Sequence, residues 1–241
     1  MLNNVNFEVP IIGEYNVENV LASIKICEEI GISLEDISKS LSKFILPKGR
    51  MEIMQENPFM VIVDFAHNTD SLEKSLIEAR KLVGKGGKLI TVFGSAGQRD
   101  KEKRFTMGET SAKLADVTII TAEDPRTENL HEINSEIIEG AKSNGGDLIK
   151  RFRNHQEYTH FIENQQASKP NKEIDAEYCE VYAFDEENVN SRYDAIGFAI
   201  KIAKSGDVVI TEGKGHEQSL CFGKVEYPFT DQEAVKKVLT T

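Results

Sequence analysis

Runs rich in β-branched residues at 59–63, 88–93, 116–121 and 207–211 alternate with amphipathic segments, and this alternation constrains the fold more than any other feature. Residues 70–83 carry Leu72, Leu76, Ile77 and Leu82 at helical spacing, and residues 130–142 carry Ile133, Ile137 and Ile138. Residues 104–115, 191–204 and 231–239 read as further helices. Strands and helices in regular alternation imply a mostly parallel sheet with both faces covered. The expected class is therefore α/β, a mostly parallel Rossmann-like sheet with helices on both faces. Two short apolar runs at 51–54 and 59–63, around Glu56-Asn57-Pro58, predict a hairpin at its start.

The first 46 residues follow another pattern. Val17, Val20, Leu21, Ile24 and Cys27 recur at helical spacing, with Asn16 or Asn19 near the start, and Gly31 ends that helix. Ser33 reads as the N-cap of a second helix whose apolar face is Leu34, Ile37, Leu41 and Phe44. Pro47-Lys48-Gly49 then breaks the pattern as a hinge. The chain thus divides into a helical 1–46 and an α/β 47–241. Residues 151–178 are polar and weakly periodic, and read as a surface insertion, partly disordered. His155 and His160 lie inside it, but no Cys or carboxylate completes a metal set at ligand spacing, so no metal is expected there.

A chain of 241 residues suits one large domain, or one domain and part of another. Its net charge of -11, with no Lys/Arg block, argues against nucleic acid and membrane surfaces as partners. Anionic ligands need a local basic pocket working against that field. Cys27, Cys179 and Cys221 are widely spaced and odd in number, which reads as free thiols in a reducing compartment. No apolar run approaches a membrane span, and the first ten residues lack a basic and an apolar signal region, so a cytoplasmic location is expected.

Polar clusters follow the predicted strands. Phe93-Gly94-Ser95-Ala96-Gly97-Gln98-Arg99-Asp100 is a two-glycine turn leading into Lys101, Lys103 and Arg104, a place where backbone N–H groups and a helix dipole suit an anion. Glu123-Asp124-Pro125-Arg126 sets a carboxylate beside a guanidinium suited to gripping a carboxylate, and Pro125 is expected to hold Asp124 extended. Gly213-Lys214-Gly215-His216-Glu217 offers both charges and an imidazole next to glycines that allow close ligand approach. Asp64-Phe65-Ala66-His67 ends a strand with an Asp placed to bond a ribose hydroxyl. Each alone is more simply a βα turn, an ion-paired turn or a helix cap. Together they gain weight, because a parallel sheet brings its strand ends, where ligands bind, to one edge. No Ser or Cys sits on a glycine elbow, and no second His completes a zinc motif after His216-Glu217.

In order and residue type these clusters resemble the C-terminal domain of the Mur ligase family, most closely its UDP-N-acetylmuramoyl-tripeptide synthetase (MurE) branch. Gly13-Glu14-Tyr15-Asn16-Val17-Glu18-Asn19 resembles the family's G-x-x-N-x-x-N, and Pro47-Lys48-Gly49-Arg50-Met51-Glu52 its P-G-R-x-E junction. Residues 64–67 resemble D-Y-A-H, and residues 93–104 resemble G-G-x-R-D-x-x-K-R. Met107-Gly108, Ala115-Asp116 and the G-K-G-H-E run at 213–217 complete the series. The resemblance implies that 1–46 is the helical end of the central ATPase domain and 47–241 the C-terminal domain. It implies an enzyme that uses ATP and Mg²⁺ to phosphorylate a carboxylate of UDP-MurNAc-L-Ala-D-Glu, the acyl phosphate then being attacked by an incoming diamino acid. By position, Arg99, Asp124, Arg126, Gly213 and Glu217 would hold that amino acid. Arg50 and Asp64 would touch ATP phosphate or ribose, Asn16 and Asn19 would lie near the adenine, and His67 joins that group.

Two departures matter. The diaminopimelate motif is D-N-P-R, and Asp124 stands here in place of the Asn. Arg126 still favours meso-diaminopimelate over lysine, because lysine would leave a desolvated guanidinium unpaired. No G-x-x-x-x-G-K-[ST] occurs in the 241 residues, and the family's Mg²⁺ ligands belong to the part not present. The chain alone is thus expected to be inactive, as a fragment or as half of a split enzyme whose partner is a separate P-loop half. The alternatives are another ligase of the superfamily, such as a folylpolyglutamate synthetase, or a non-catalytic amino-acid-binding or docking module. A dinucleotide oxidoreductase is disfavoured, since no G-x-G-x-x-G follows the first strand.

Overall fold

The computed structural model describes residues 5–11, 13–165 and 178–240. The chain divides into two compact units, Met1–Lys48 and Gly49–Thr241. The first holds two helices, α1 (Glu14–Glu29) and α2 (Leu34–Leu41). Gly31, at φ 89°, ends α1 as expected: its N–H donates to Glu28 O and that of Ile32 reaches Cys27 O at 3.0 Å. The Ser33 side chain caps α2 by accepting from Asp36 N at 3.2 Å.

The second unit begins with β1 (Glu52–Gln55) and β2 (Met60–Val63), an antiparallel pair. Next come α3 (Thr69–Leu82), β3 (Leu89–Phe93), α4 (Glu102–Leu114), β4 (Val117–Ile120), α5 (Leu130–Ser143) and β5 (Gly146–Phe152). The chain continues through α6 (His155–Gln165), β6 (Cys179–Phe184), α7 (Asn190–Ile202), β7 (Val208–Thr211), β8 (Ser219–Phe222), β9 (Val225–Pro228) and α8 (Asp231–Leu239). The main sheet has seven strands in the order β1-β2-β7-β3-β4-β6-β5, parallel throughout except for β1. The chain moves outward from β2 to β5 through α3, α4 and α5, then returns to β7 through α6 and α7. Right-handed crossovers in opposite directions place the two helix sets on opposite faces. Val61, Val63, Ile90, Val92, Val117, Ile119, Tyr182 and Phe184 point to the face covered by α7 and α8, and the alternate residues Ile62, Phe93, Ile120 and Val181 are buried on the other.

Register aligns the strand ends. Val63 pairs with Thr211, Thr211 with Val92, and Phe93 with Ile120, so β2, β7, β3 and β4 end at one level. The polar loops leave side by side.

Three regions differ from the sequence-based expectation. The first half of the supposed insertion at 151–178 is regular structure: β5 is an edge strand and α6 packs on the core. Few apolar residues suffice there because they are aromatic: Phe152 and Tyr158 are buried, and Phe161 packs against them. The expected disorder at 166–177 lies outside the described residues. β6, which the periodicity did not mark, is an inner strand between β4 and β5. β8 and β9 form a separate hairpin turning through Gly223 and Lys224, with Phe222 paired to Val225.

Arg192 on α7 is fully buried and bonds Asp231 at the start of α8 through Nε (2.7 Å) and Nη2 (2.6 Å). It also donates to Ala122 O (3.1 Å) and Glu212 O (2.8 Å). Removing one member of a buried pair costs about 3–5 kcal/mol, because the other charge is left desolvated. Arg192→Ala is expected to lose about that much stability in urea unfolding followed by far-UV circular dichroism, and Arg192→Met/Asp231→Leu to recover most of it. Equal stability of the two variants would contradict this account.

Candidate functional site

The loops after β2, β3, β4 and β7 enclose a cavity of about 410 Å³ at the C-terminal edge of the sheet. Arg99, Asp124, Arg126, Gly213 and Glu217 all line it, so the structure brings together the whole amino-acid set expected from the sequence. Phe65, His67, Asp100, Lys103 and Glu123 share the wall.

The glycines let the loops pack against one another. A Cβ on Gly97 would lie 1.9 Å from Pro125 O, and the Gly97 N–H donates to Asp124 O at 2.9 Å. Gly213, at φ 100°, leaves room for Glu123, whose Oε2 would be 2.5 Å from a Cβ there. These two glycines are thus required for close loop-to-loop packing at the cavity wall.

The expected extended Asp124 is also corrected. Asp124 and Arg126 have φ values of 46° and 53°, a region that non-glycine residues rarely enter. The local preference set by Pro125 is overridden by tertiary bonds. Asp124 Oδ1 accepts from buried Lys214 Nζ at 2.9 Å and from Cys221 N at 2.8 Å. Arg126 N donates to Cys221 O (3.1 Å), and Arg126 O accepts from Gly223 N (2.7 Å). The β8–β9 hairpin therefore clamps the turn. Arg126 Nη1 donates to Gly97 O at 2.7 Å, while Nη2 lies 3.9 Å from Asp124 Oδ2.

Lys214 Nζ also donates to Glu217 Oε2, so one buried ammonium bridges the two carboxylates that flank the cavity. Of the basic residues after the β3 turn, Arg104 is buried and paired with Glu128 and Glu136, and Lys101 pairs with Glu128. Burial pushes the Glu128 carboxyl up, but the Gln98 N–H, Lys101 and Arg104 outweigh it and hold it at about 2. Arg99 is exposed, with no hydrogen-bond or ion-pair partner among the described residues, and Lys103 donates to His67 O at 2.6 Å. The cations presented to the cavity are thus Arg99, Lys103 and Arg126.

Of the expected nucleotide set within the second unit, His67 lines the cavity, and Arg50 and Asp64 do not. Asp64 is buried with both oxygens taken: Oδ2 accepts from Met51 N (2.8 Å) and Oδ1 from Ala66 N (2.9 Å). It braces the chain near Met51, itself at φ 45°, and does not line the cavity. The Arg50 guanidinium sits 4.7 Å over the Phe65 ring, which also meets the His67 ring at 4.9 Å and that of His216 at 4.8 Å. His67 Nδ1 lies 3.0 Å from Phe65 O, which places its proton on that nitrogen. Asn16 and Asn19 belong to α1 in the first unit, where Asn19 Nδ2 donates to Asn16 Oδ1 at 3.4 Å.

Glu123 is the wall residue that the sequence did not single out. Its side chain is buried, and Oε2 has no hydrogen-bond partner among the described residues. Burial pushes its carboxyl up to about 8, a rise that Lys103, Arg192 and Lys214 only partly offset and that Asp124 adds to. The sequence signal that marks it is its place ahead of Asp124-Pro125-Arg126, where the D-N-P-R motif carries an Asp.

Residues 49–171 match the model of the Mur ligase glutamate ligase domain. The chain belongs to the Mur ligase family. It is 33% identical over 239 residues to the UDP-N-acetylmuramoyl-L-alanyl-D-glutamate--2,6-diaminopimelate ligase 1 of Clostridium acetobutylicum, covering 98% of this chain and 40% of that one. The corresponding ligase of Alkaliphilus oremlandii is 36% identical over 233 residues, covering 96% and 40%. A solved structure of such a diaminopimelate ligase superposes with a TM-score of 0.59 at 26% identity, over 97% of this chain and 40% of the other. This Mur ligase chain spans about two fifths of the length of the relatives it matches.

Glu212, buried at the end of β7 and bonded to Ser75 and Thr91, is also pushed up to about 8 by burial. A carboxyl raised in the folded state stays protonated there while its unfolded counterpart ionises near 4.5. The stability it contributes is full below about pH 4.5 and is lost as pH rises through about 8. Unfolding of the Mur ligase chain by urea is therefore expected to become easier from about pH 5 to 8, and Glu123→Gln to remove roughly half of that trend. A flat profile in the unaltered chain would contradict the burial of these two acids as neutral groups.

Proposed function

We propose that this chain is the amino-acid-binding part of an ATP-dependent ligase of peptidoglycan synthesis. The ligase adds meso-diaminopimelate to UDP-MurNAc-L-Ala-D-Glu. The observation that carries the reading is that one cavity gathers Arg99, Asp124, Arg126, Gly213 and Glu217 from three separate strand ends. The distal end of diaminopimelate is a zwitterion. Arg99 and Arg126 match its carboxylate, and the acidic wall of Asp124 and Glu217 matches its ammonium. The names of the two relatives, both 2,6-diaminopimelate ligases, point to the same substrate.

ATP, when bound, supplies the phosphoryl group that activates the acceptor carboxylate. Arg50 stacked on Phe65, with His67 beside them, offers a cationic face that suits its phosphates, whereas Asp64 serves as a brace behind that face. Among the described residues no group of three His, Cys, Asp or Glu side chains could hold a metal ion. The P-loop comes from polypeptide outside these 241 residues, which contain no such motif. Residues 1–46 fit the end of the central domain: Val17, Leu21 and Ile26 on α1 and Ile30 at its C-cap are 55%, 44%, 65% and 71% exposed, an apolar surface suited to cover by more of that domain. No described helix is long and apolar enough to cross a membrane, in keeping with a cytoplasmic location.

Calorimetric titration of the purified chain is expected to show binding of meso-diaminopimelate and much weaker binding of L-lysine. A charge-assisted bond is worth about 1.5–3 kcal/mol, so Arg126→Ala should weaken diaminopimelate binding by about 10- to 150-fold. Lysine binding that is equal in strength and indifferent to Arg126 would overturn the substrate assignment. The 241 residues alone are expected to show no ATP-dependent ligation, as measured by phosphate release with both substrates present.

A further inference from the structure

A second groove, of about 490 Å³, lies between the start of α6, the first turn of α7 and the first half of α8. It shares no wall residue with the cavity at the strand ends. Its volume falls within the range of about 300–1,000 Å³ usual for small-molecule sites. Tyr193 and Phe229 give it an apolar wall, Asp194 and His155 a polar one, and the exposed Glu233 and Lys237 border it on α8.

The Asp194 side chain is only 5% exposed. Its Oδ2 lies 2.8 Å from His155 Nδ1, and its Oδ1 has no hydrogen-bond partner among the described residues. Unlike Glu123 Oε2, this oxygen is not sealed from solvent, and the groove is where it opens. Burial pushes the Asp194 carboxyl up and Glu186 adds to the rise, while His155 and Lys201 offset only part of it. A desolvated carboxylate with one oxygen open is short of a positive partner. The nearby ammonium groups are placed elsewhere: Lys201 sits 5.4 Å over the Tyr158 ring and Lys237 4.8 Å over the Tyr193 ring. A neutral His155 that donates its Nδ1 proton to Asp194 keeps Nε2 as an acceptor. Two acceptors on paired side chains thus meet an apolar wall, and Asp194, Glu186 and Glu233 set three carboxylates around the groove.

We propose that this groove binds a small primary amine with an apolar body, at a site separate from the amino-acid cavity. The ammonium donates to Asp194 Oδ1 and His155 Nε2, and the body packs on Tyr193 and Phe229. An ammonium suits that pair because it carries three donors on one atom and no acceptor. The bond from His155 to Asp194 Oδ2 holds the carboxylate in place before the ligand arrives.

Benzylamine is the probe. Titrated into the ¹⁵N-labelled 241-residue chain, it is expected to shift the amide resonances of His155, Tyr193, Asp194 and Phe229 and to leave those of Arg99 and Arg126 unmoved. Benzyl alcohol has the ring without the charge, and benzyltrimethylammonium has the charge without N–H donors. Both should bind at least about tenfold more weakly than benzylamine. Asp194→Asn keeps the shape of the side chain and removes its charge, and should weaken benzylamine binding by about 10- to 150-fold, with folding checked by circular dichroism. Should that variant not fold, the comparison of the three probes on the unaltered chain decides. Equal binding of the three probes, binding unchanged in a folded Asp194→Asn, shifts confined to the Arg126 cavity, or no shift at all would each overturn the proposal. None of these results bears on the amino-acid-binding reading, which rests on other residues.

Discussion

The candidate site depends on one buried guanidinium. Arg192 donates to the carbonyls of Ala122 and Glu212, the residues immediately before Glu123 and Gly213. It thereby ties the exit of β4 to the exit of β7 across the intervening β3. Its counter-charge, Asp231, is the first residue of α8, so the closing helix is drawn into the same knot. A buried ion pair adds little net stability over an apolar pair, but it permits few alternative arrangements of the groups around it. The distance between the Glu123 and Gly213 loops is held in this way, and the cavity lies on top of it.

The cavity is organised by loops that brace one another before any ligand arrives. Gly97 lets the β3 loop lie on Pro125, Gly213 makes room for Glu123, and the β8–β9 hairpin clamps Arg126. Asp124 and Arg126 keep a backbone conformation that costs on the order of 1–3 kcal/mol each, and Lys214, Cys221 and Gly223 hold them there. Such preorganisation lowers the cost of fixing side chains when a small ligand binds. Charge is arranged with the same economy. Lys214 bridges two carboxylates, Arg104 is consumed by Glu128 and Glu136, and the residual positive character belongs to Arg99, Lys103 and Arg126.

Much of this was legible in residue patterns. The strand at 207–211 and the helices at 70–83 and 231–239 stand within a residue or two of the predicted bounds, because periodicity and strong caps such as Asn68 and Thr230 mark them locally. The five residues expected to hold an amino acid were named from motif order, and the structure gathers them in one cavity. Other features were hidden. α6 and β5 hold to the core through a few aromatic rings in a polar background, where an average over the segment sees only polarity. Asp64 carries the chemistry for a ribose contact, and only the structure shows that it also braces Met51 N and Ala66 N.

The sequence by itself determined the α/β class, the break near residue 48, the helix ends at Gly31 and Ser33, and the family, because these rest on local spacing and on motifs contiguous in the chain. The tertiary structure alone decided which charges are spent and which are offered. Lys214 and Arg104 look like free cations in the sequence and prove to be buried in ion pairs, while Glu123 looks like an ordinary turn acid and proves to be desolvated. The physical reason is that a charge is set by its partners and its distance from water. In a parallel sheet those partners come from strand ends far apart in the chain: Lys214 meets Asp124 only because β7 and β4 end at one level on either side of β3.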